Sequence, residues 1–467
     1  MWLSVWRCLA LGAVVATGCT GAPDGLVIRD VTIIDGTGAA AKPGMDVVVE
    51  QGRITAIGAH GSLGHPRTAA VIDGTGKYLI PGLWDVHVHL RDLEGTLPLF
   101  VVNGVTSVRD MGSVLEETAA IRASVEAGAV VGPRILTSGM AVESASWVAQ
   151  YVELMREQGV DDHEVETFLR TRIVVANTED AQQVVNELRR KGADFIKIRH
   201  AESPEVFAAI AAAAEKAGMQ LAGHYVWIVG LDEVAERGQR SVEHNVLPGF
   251  NKRPPEEKQH IFDALRRNDT HLVPTLVTNL AETMPVDEVR ALAEDRDGTI
   301  DPRNRYVSRA IRRSWLETVE LNARDTERPP PEAIRQMMAD GNQFVRDARR
   351  AGVKILAGTD VPTTGTFIGF SLHDELVRLV EEYGMTPMEA IRSATVLPAV
   401  FVGLAAELGT IEVGKHADLV LLDADPLADV SNTRRIDMVV VNGRVFDRAA
   451  RAAMLREMAQ GIASEGG

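Results

Sequence analysis

Two hydrophobic patterns follow one another along this chain. From Gly25 to Val71, apolar and polar positions alternate in short stretches that break at glycine-rich turns: LVIRDVTIIDGTG, DVVVEQGRITAIGA and AAVIDGTGKYL. A period of two, punctuated in this way, predicts short strands of a small sheet. After Pro81 the pattern becomes short apolar runs separated by helical stretches, as expected for βα units around a parallel sheet. Predicted strands are Leu79 to His87, Gly104 to Arg109, Arg134 to Ser138, Asp194 to Ile198, Gln220 to Gly223, Ser241 to Glu243, His271 to Pro274 and Lys354 to Ala357. Predicted helices include Asp180 to Lys191, Pro204 to Ala217 and the stretch around Gln259 to Arg267. Eight such units over residues 81–407 predict an α/β fold, a closed (β/α)8 TIM-like barrel. The β pattern returns in GTIEVGKHADLVLLDADPL and RIDMVVVNGRVFD, so residues 24–80 and 408–450 are expected to form one small β-sandwich built from both termini. Two charged, helical stretches, Val142 to Thr178 and Asn279 to Arg350, read as insertions at the barrel mouth.

Composition narrows the range of partners. The 467 residues are 45% hydrophobic, enough for a large core, and carry a net charge of −16. That charge argues against nucleic acid and against a polybasic membrane surface, and leaves small molecules as the expected partners. The two cysteines, Cys8 and Cys19, both stand at the start, so the body of the chain offers neither a disulfide framework nor thiolate ligands. Met1 to Gly18 has signal-peptide architecture: Arg7, an apolar run too short to span a bilayer, then small residues. Ala16-Thr17-Gly18-Cys19 resembles a bacterial lipobox, after which Cys19 becomes the lipidated N-terminus. The expectation is export from a bacterial cytoplasm to the periplasm, with a lipid anchor at Cys19 as the membrane contact and homo-oligomer formation left open.

The chemistry lies at strand ends. In PGLWDVHVHL, His87 and His89 share a strand face with Asp85, while Val86 and Val88 take the other, and two imidazoles at that spacing can grip one metal ion. Other strand ends supply Lys197 (DFIKIRH), His224 (LAGHYVW), His244 (SVEHN) and Asp360 (ILAGTD). Lys197 is the informative one, because a lysine between Ile196 and Ile198 on a strand covered on both faces has no easy route to water. Burial favours its neutral amine, which can add carbon dioxide to give a carbamate whose two oxygens can bridge two metals. The plainer alternative is a buried Lys197 paired with an acid such as Asp360.

Together with GVTSVRDMG, GADFIKI and the tail GTIEVGKHADLVLLDADPL, these stretches resemble the amidohydrolase superfamily, in its imidazolonepropionase-like branch with metal-dependent prolidases and carboxypeptidases. The resemblance implies that His87, His89 and Asp360 hold one ion, that His224 and His244 hold a second, and that carboxylated Lys197 bridges them, zinc being the usual metal. It implies a hydrolase of amide bonds, on dipeptides or N-acyl amino acids, with Asp360 as general acid and base. Tyr225 stands where it could donate to the oxyanion. Arg109 and Asp110 read as an internal salt bridge, His373 as a supporting or capping residue, and His200 as a surface histidine. The loop GPRILTSGMAVESASW lacks the substrate-binding histidine of many prolidase-like relatives, leaving Glu143, Ser144 or Trp147 to shape the pocket. Rival readings are a mononuclear cyclic-amide hydrolase or deaminase, a lactone or phosphotriester hydrolase, and a binding protein without turnover.

Overall fold

The computed structural model describes residues 25–90, 93–244, 250–325 and 328–464. The expected signal peptide and lipidation site Cys19 lie outside the described residues. Five strands open the chain: β1 (Leu26–Ile33), β2 (Lys42–Glu50), β3 (Arg53–Ala59), β4 (Ala70–Asp73) and β5 (Tyr78–Pro81). Nine follow in the body of the chain: β6 (Leu83–Val88), β7 (Val105–Asp110), β8 (Arg134–Thr137), β9 (Ala141–Glu143), β10 (Arg172–Val174), β11 (Phe195–Ile198), β12 (Gln220–His224), β13 (Gln239–Glu243) and β14 (His271–Val273). The last three are β15 (Leu419–Leu422), β16 (Ile436–Val441) and β17 (Arg444–Phe446).

Strands from both termini form one continuous eight-stranded sheet, ordered β17-β16-β15-β5-β1-β2-β3, with β4 paired to β1. Its two ends come together: Ile54 in β3 and Met438 in β16 share one hydrophobic core with Leu79, Leu419 and Leu421. The alternate residues of β15, Val420 and Leu422, join the much larger core around the parallel strands. This division explains why LVLL is apolar on both faces.

The parallel strands form two ladders, β6-β7-β8 and β10-β9-β11-β12-β13-β14. Backbone bonds join them into a ring. Asp194 N donates to Thr137 O, linking β8 to the start of β11. The segment 354–361 is bonded to β14 through Leu272 N to Lys354 O and Leu356 N to Leu272 O, and to β6 through Val86 N to Ala357 O and His89 N to Val361 O. The architecture is α/β, a TIM-like barrel beside a β-rich unit, as the apolar runs predict. Helix boundaries follow local chemistry: Pro204–Ala217 starts at Ser203, whose hydroxyl accepts Val206 N, and stops at Gly218 with φ 66°.

Three expectations change in detail. The run Leu79 to His87 is two strands, since β5 pairs antiparallel with β15 and Gly82 turns the chain into the barrel. A Cβ on Gly82 would lie 2.2 Å from Thr106 Oγ1, so only glycine lets the chain pass there. The stretch Val142 to Thr178 contains, besides its helices Ala145–Glu157 and Asp162–Arg170, the paired strands β9 and β10. The stretch Asn279 to Arg350 ends in Pro331–Arg350, a helix of the barrel layer whose Phe344 packs on Phe250 and Phe262 at 4.4 and 5.7 Å between ring centroids. Among the described residues no helix is long and apolar enough to cross a membrane.

Candidate metal centre

The strand carrying the two histidines is not regular. Along β6 and β7, Asp85 pairs with Val108 and Val88 with Asp110, so β6 holds one extra residue there. Such a bulge re-aims side chains. Val86 falls in the small core of Trp84, Val273 and Leu356, while Val88 falls in the main core. The expected single face of Asp85, His87 and His89 is corrected accordingly: the Asp85 carboxylate accepts Thr359 N at 3.0 Å and Thr359 Oγ1 at 2.6 Å. Its role is to hold the segment carrying Asp360.

His87, His89 and Asp360 converge. Their donor atoms lie within 4.8 Å of one another, with Asp360 Oδ1 3.4 Å from His87 Nε2 and 3.1 Å from His89 Nε2. His244 stands beside this group, its ring 4.8 Å from that of His87, and His224 stands 4.9 Å from His244. Three of the imidazoles have Nδ1 engaged. His87 Nδ1 is 2.8 Å from Glu243 Oε2, His89 Nδ1 is 3.0 Å from Gly112 O, and His244 Nδ1 is 2.8 Å from Thr275 Oγ1. Fixing one ring nitrogen sets the tautomer and aims the other, the usual arrangement around a metal. Among the described residues, His87 Nε2 and Asp360 Oδ1 are buried and make no regular hydrogen bond, their contacts being the ion-pair distances just given. Buried polar atoms are otherwise nearly always satisfied, so a carboxylate oxygen and imidazole nitrogens that converge without regular hydrogen bonds fit a metal ligand set.

Lys197 is the third such atom. Its side chain is fully buried, and Nζ makes no hydrogen bond and no ion pair among the described residues, Asp360 included. Loss of hydration pulls the amine down to about 7, against 10.5 for a free lysine, with the Glu243 carboxylate opposing and the Arg199 guanidinium adding to the fall. Burial alone would raise the Glu243 carboxyl, but Arg109, whose Nη2 donates to it at 2.6 Å, holds it well below the usual range. Arg109 also donates to Val86 O and Ser241 Oγ; its salt bridge is to Glu243, whereas Asp110, expected to share an internal salt bridge with it, accepts from Leu90 N, Ser113 Oγ and Thr137 Oγ1. The Arg109 bridge ties β7 to β13 and, through Glu243, to His87. Burial likewise drives the imidazole of His244 down to about 3 and that of His224 well below its ordinary value, so both are neutral bases.

Two residues of the cluster carry backbone strain. His244 and Asp360 adopt φ of 69° and 58°. Non-glycine residues rarely enter that region, and where they do the position is commonly functional. At Gly358 a Cβ would lie 2.8 Å from His87 Cβ, so the segment before Asp360 approaches the histidine as closely as glycine permits.

The structure thus brings together His87, His89, Lys197, His224, His244 and Asp360. Tyr225 is less central: it packs half-buried against the main core, with Arg253 and Asp232 acting on its hydroxyl. His373 is buried between Thr433 Oγ1 and Asn103 O, a support for helix Ser371–Tyr383 away from the metal centre. His200 is not a surface histidine; it stacks on Trp147 at 4.6 Å, and its ring is 6.2 Å from that of His224. Glu243 is a residue that sequence reading passes over; its signal is the buried polar row Gln239, Ser241 and Glu243 at period two on one strand. A cavity of about 890 Å3 opens elsewhere, between Gln158–Asp161, helix Arg309–Arg324 and the C-terminal helix, and none of the six residues lines it. The site is defined by converging side chains, not by that cavity.

Known proteins share this fold. An ochratoxinase of Aspergillus niger is 24% identical over 415 residues, covering 79% of this chain and 75% of that protein. The solved structure of a bottromycin amidohydrolase superposes with a TM-score of 0.69 at 23% identity, covering 95% of this chain and 91% of the other. That of a Xaa-Pro dipeptidase with methionine in its active site gives a TM-score of 0.66 at 23% identity, covering 91% of this chain and all of the other. At these identities the two structures establish the fold alone. The sequence model of the amidohydrolase family matches residues 78–446, which takes in all six clustered residues, and the chain belongs to that family.

Proposed function

We propose that the chain is a hydrolase of amide bonds that works with two divalent ions, one held by His87, His89 and Asp360 and one by His224 and His244, with carboxylated Lys197 between them. The observation that carries this reading is the buried Lys197 Nζ without a partner, set among four imidazoles and a carboxylate. Nitrogen and oxygen donors of this kind suit zinc, and also manganese, cobalt or iron. When bound, such ions supply Lewis acidity, which polarises the scissile carbonyl and acidifies water at neutral pH.

The chain's own residues do the rest. Asp360 is held ionised, its carboxyl kept far below the usual range by the neighbouring His87 and His89 although burial opposes this. In this ionised form it is free to accept a proton from the attacking water and to return it to the departing amine nitrogen as the C–N bond breaks. Glu243 and Thr275 hold His87 and His244 in the orientation that leaves Nε2 facing the centre. Substrates in this reading are small amides, dipeptides or N-acyl amino acids, and membership of the amidohydrolase family supports amide hydrolysis.

The test is turnover of a panel of dipeptides and N-acyl amino acids by zinc-loaded protein. Hydrolysis is expected in the wild type and lost in Lys197→Ala, with part of it restored by acetate or propionate in place of the carbamate. Absence of turnover across the panel, or full activity in Lys197→Ala, ends the proposal.

A further inference from the structure

Strand β11 carries its inward row past the buried lysine. Phe195 lies under Arg109 in the barrel interior, Lys197 follows, and Arg199 is the next residue of that parity, just beyond the strand at the barrel mouth. Arg199 N donates to Val142 O at 3.0 Å, which keeps the chain extended beside β9. The neighbouring His200 has its ring 6.2 Å from that of His224, and Arg199 lies over the Trp147 ring on which His200 stacks, so the guanidinium sits on the side of the mouth next to His224.

Charged groups crowd around it. Glu143 is fully buried, and its carboxylate receives Arg199 Nη1 at 3.1 Å and His200 Nδ1 at 2.7 Å, with Arg172 Nε at 3.4 Å. Two guanidiniums converge on this one buried carboxylate. Arg199 keeps about a quarter of its side chain exposed (23%), and among the described residues its Nη2 has no hydrogen-bond partner. An aromatic stack holds the group rigid: Arg199 lies over Trp147 at 5.2 Å, and Trp147 stacks on His200 at 4.6 Å and on Tyr151 at 4.9 Å. Ser146 bonds through N and Oγ to Glu202, locking helix Ala145–Glu157 to the same loop. Planar guanidinium donors held in this way suit a carboxylate.

Building on the hydrolase reading, we propose that Arg199, with His200 beside it, binds a free carboxylate adjacent to the scissile amide, so that the enzyme selects substrates whose leaving amine is an amino acid. Glu143 and Trp147 position the pair. The stretch Ala145–Arg170 then sets specificity by what it presses against the metal centre.

The experiment compares zinc-loaded wild type, Arg199→Ala and Arg199→Lys on dipeptides and on the matching C-terminal amides, and measures binding of L-phenylalanine and L-phenylalaninamide by calorimetry. The wild type should favour the free acid about ten- to a hundredfold in kcat/KM, mostly through KM, as a charge-assisted pair implies. Arg199→Ala should bring the acid down to the level of the amide and weaken L-phenylalanine by a similar factor, while Arg199→Lys recovers part. Equal use of acid and amide by the wild type overturns the inference, as does a preference that survives in Arg199→Ala. So does an equal loss of both substrates in that variant with L-phenylalanine binding intact, which would make Arg199 a prop for Glu143. Rapid hydrolysis of amides alone would leave the hydrolase standing and remove the carboxylate site; charge-dependent L-phenylalanine binding without any turnover would do the reverse.

Discussion

Replacing Lys197 by methionine isolates the cost of burying an amine meant for carboxylation. The amine ionises at about 7 in the fold, pulled down chiefly by lost hydration, against 10.5 when free. The folded state therefore binds fewer protons than the unfolded one between those values, and stability rises with pH across that window. Holding the amine in the metal-free fold costs about 4 kcal/mol near pH 7, about 2 kcal/mol near pH 9, and nothing above the unfolded value. Methionine has a similar length and no charge to desolvate. Metal-free Lys197→Met should be more stable than metal-free wild type near pH 7 by up to about 4 kcal/mol, and the gap should narrow by about 2 kcal/mol near pH 9. Denaturant unfolding of both chelator-treated proteins in carbon dioxide-free buffer measures it, and groups common to both cancel in the difference. A gap that does not change with pH, or a wild type more stable near neutrality, would refute the claim that this amine is kept neutral by burial.

Two further substitutions test the supports of the site. Glu243→Gln keeps the shape but leaves Arg109 buried without its counter-charge and weakens the hold on His87; stability should fall by about 3–5 kcal/mol and metal affinity by about ten- to a hundredfold. Unfolding and metal titration check it, and unchanged values for both contradict the chain Arg109–Glu243–His87. Gly358→Ala places a methyl 2.8 Å from His87 Cβ and 2.7 Å from Val273 Cγ1. It should lower metal affinity about tenfold or more while circular dichroism shows the fold retained, and wild-type affinity would show that His87 tolerates the displacement.

Much of the centre is legible in the chain because each clustered residue follows a short apolar run, and strand ends of a barrel meet in space whatever their separation in sequence. Lys197 is the clearest example: one charge between Ile196 and Ile198 marks burial without any knowledge of its neighbours. What escapes is whatever breaks the period or joins distant loops. The extra residue in β6 sends Asp85 to Thr359, and nothing in DVHVH announces it. Glu143 and His200 are 57 residues apart and meet only because β9 lies beside β11. The helix Pro331–Arg350 reads as part of an insertion because its heavily charged outer face hides the apolar stripe of Ile334, Phe344, Val345 and Ala348.

The number of metal ions per chain tests the bridged pair most directly. Elemental analysis of purified, bicarbonate-supplied protein should find about two divalent ions in the wild type and one or fewer in Lys197→Ala, with the second site refilling when acetate is added. A single ion in the wild type, with occupancy and activity unchanged in Lys197→Ala, would contradict it.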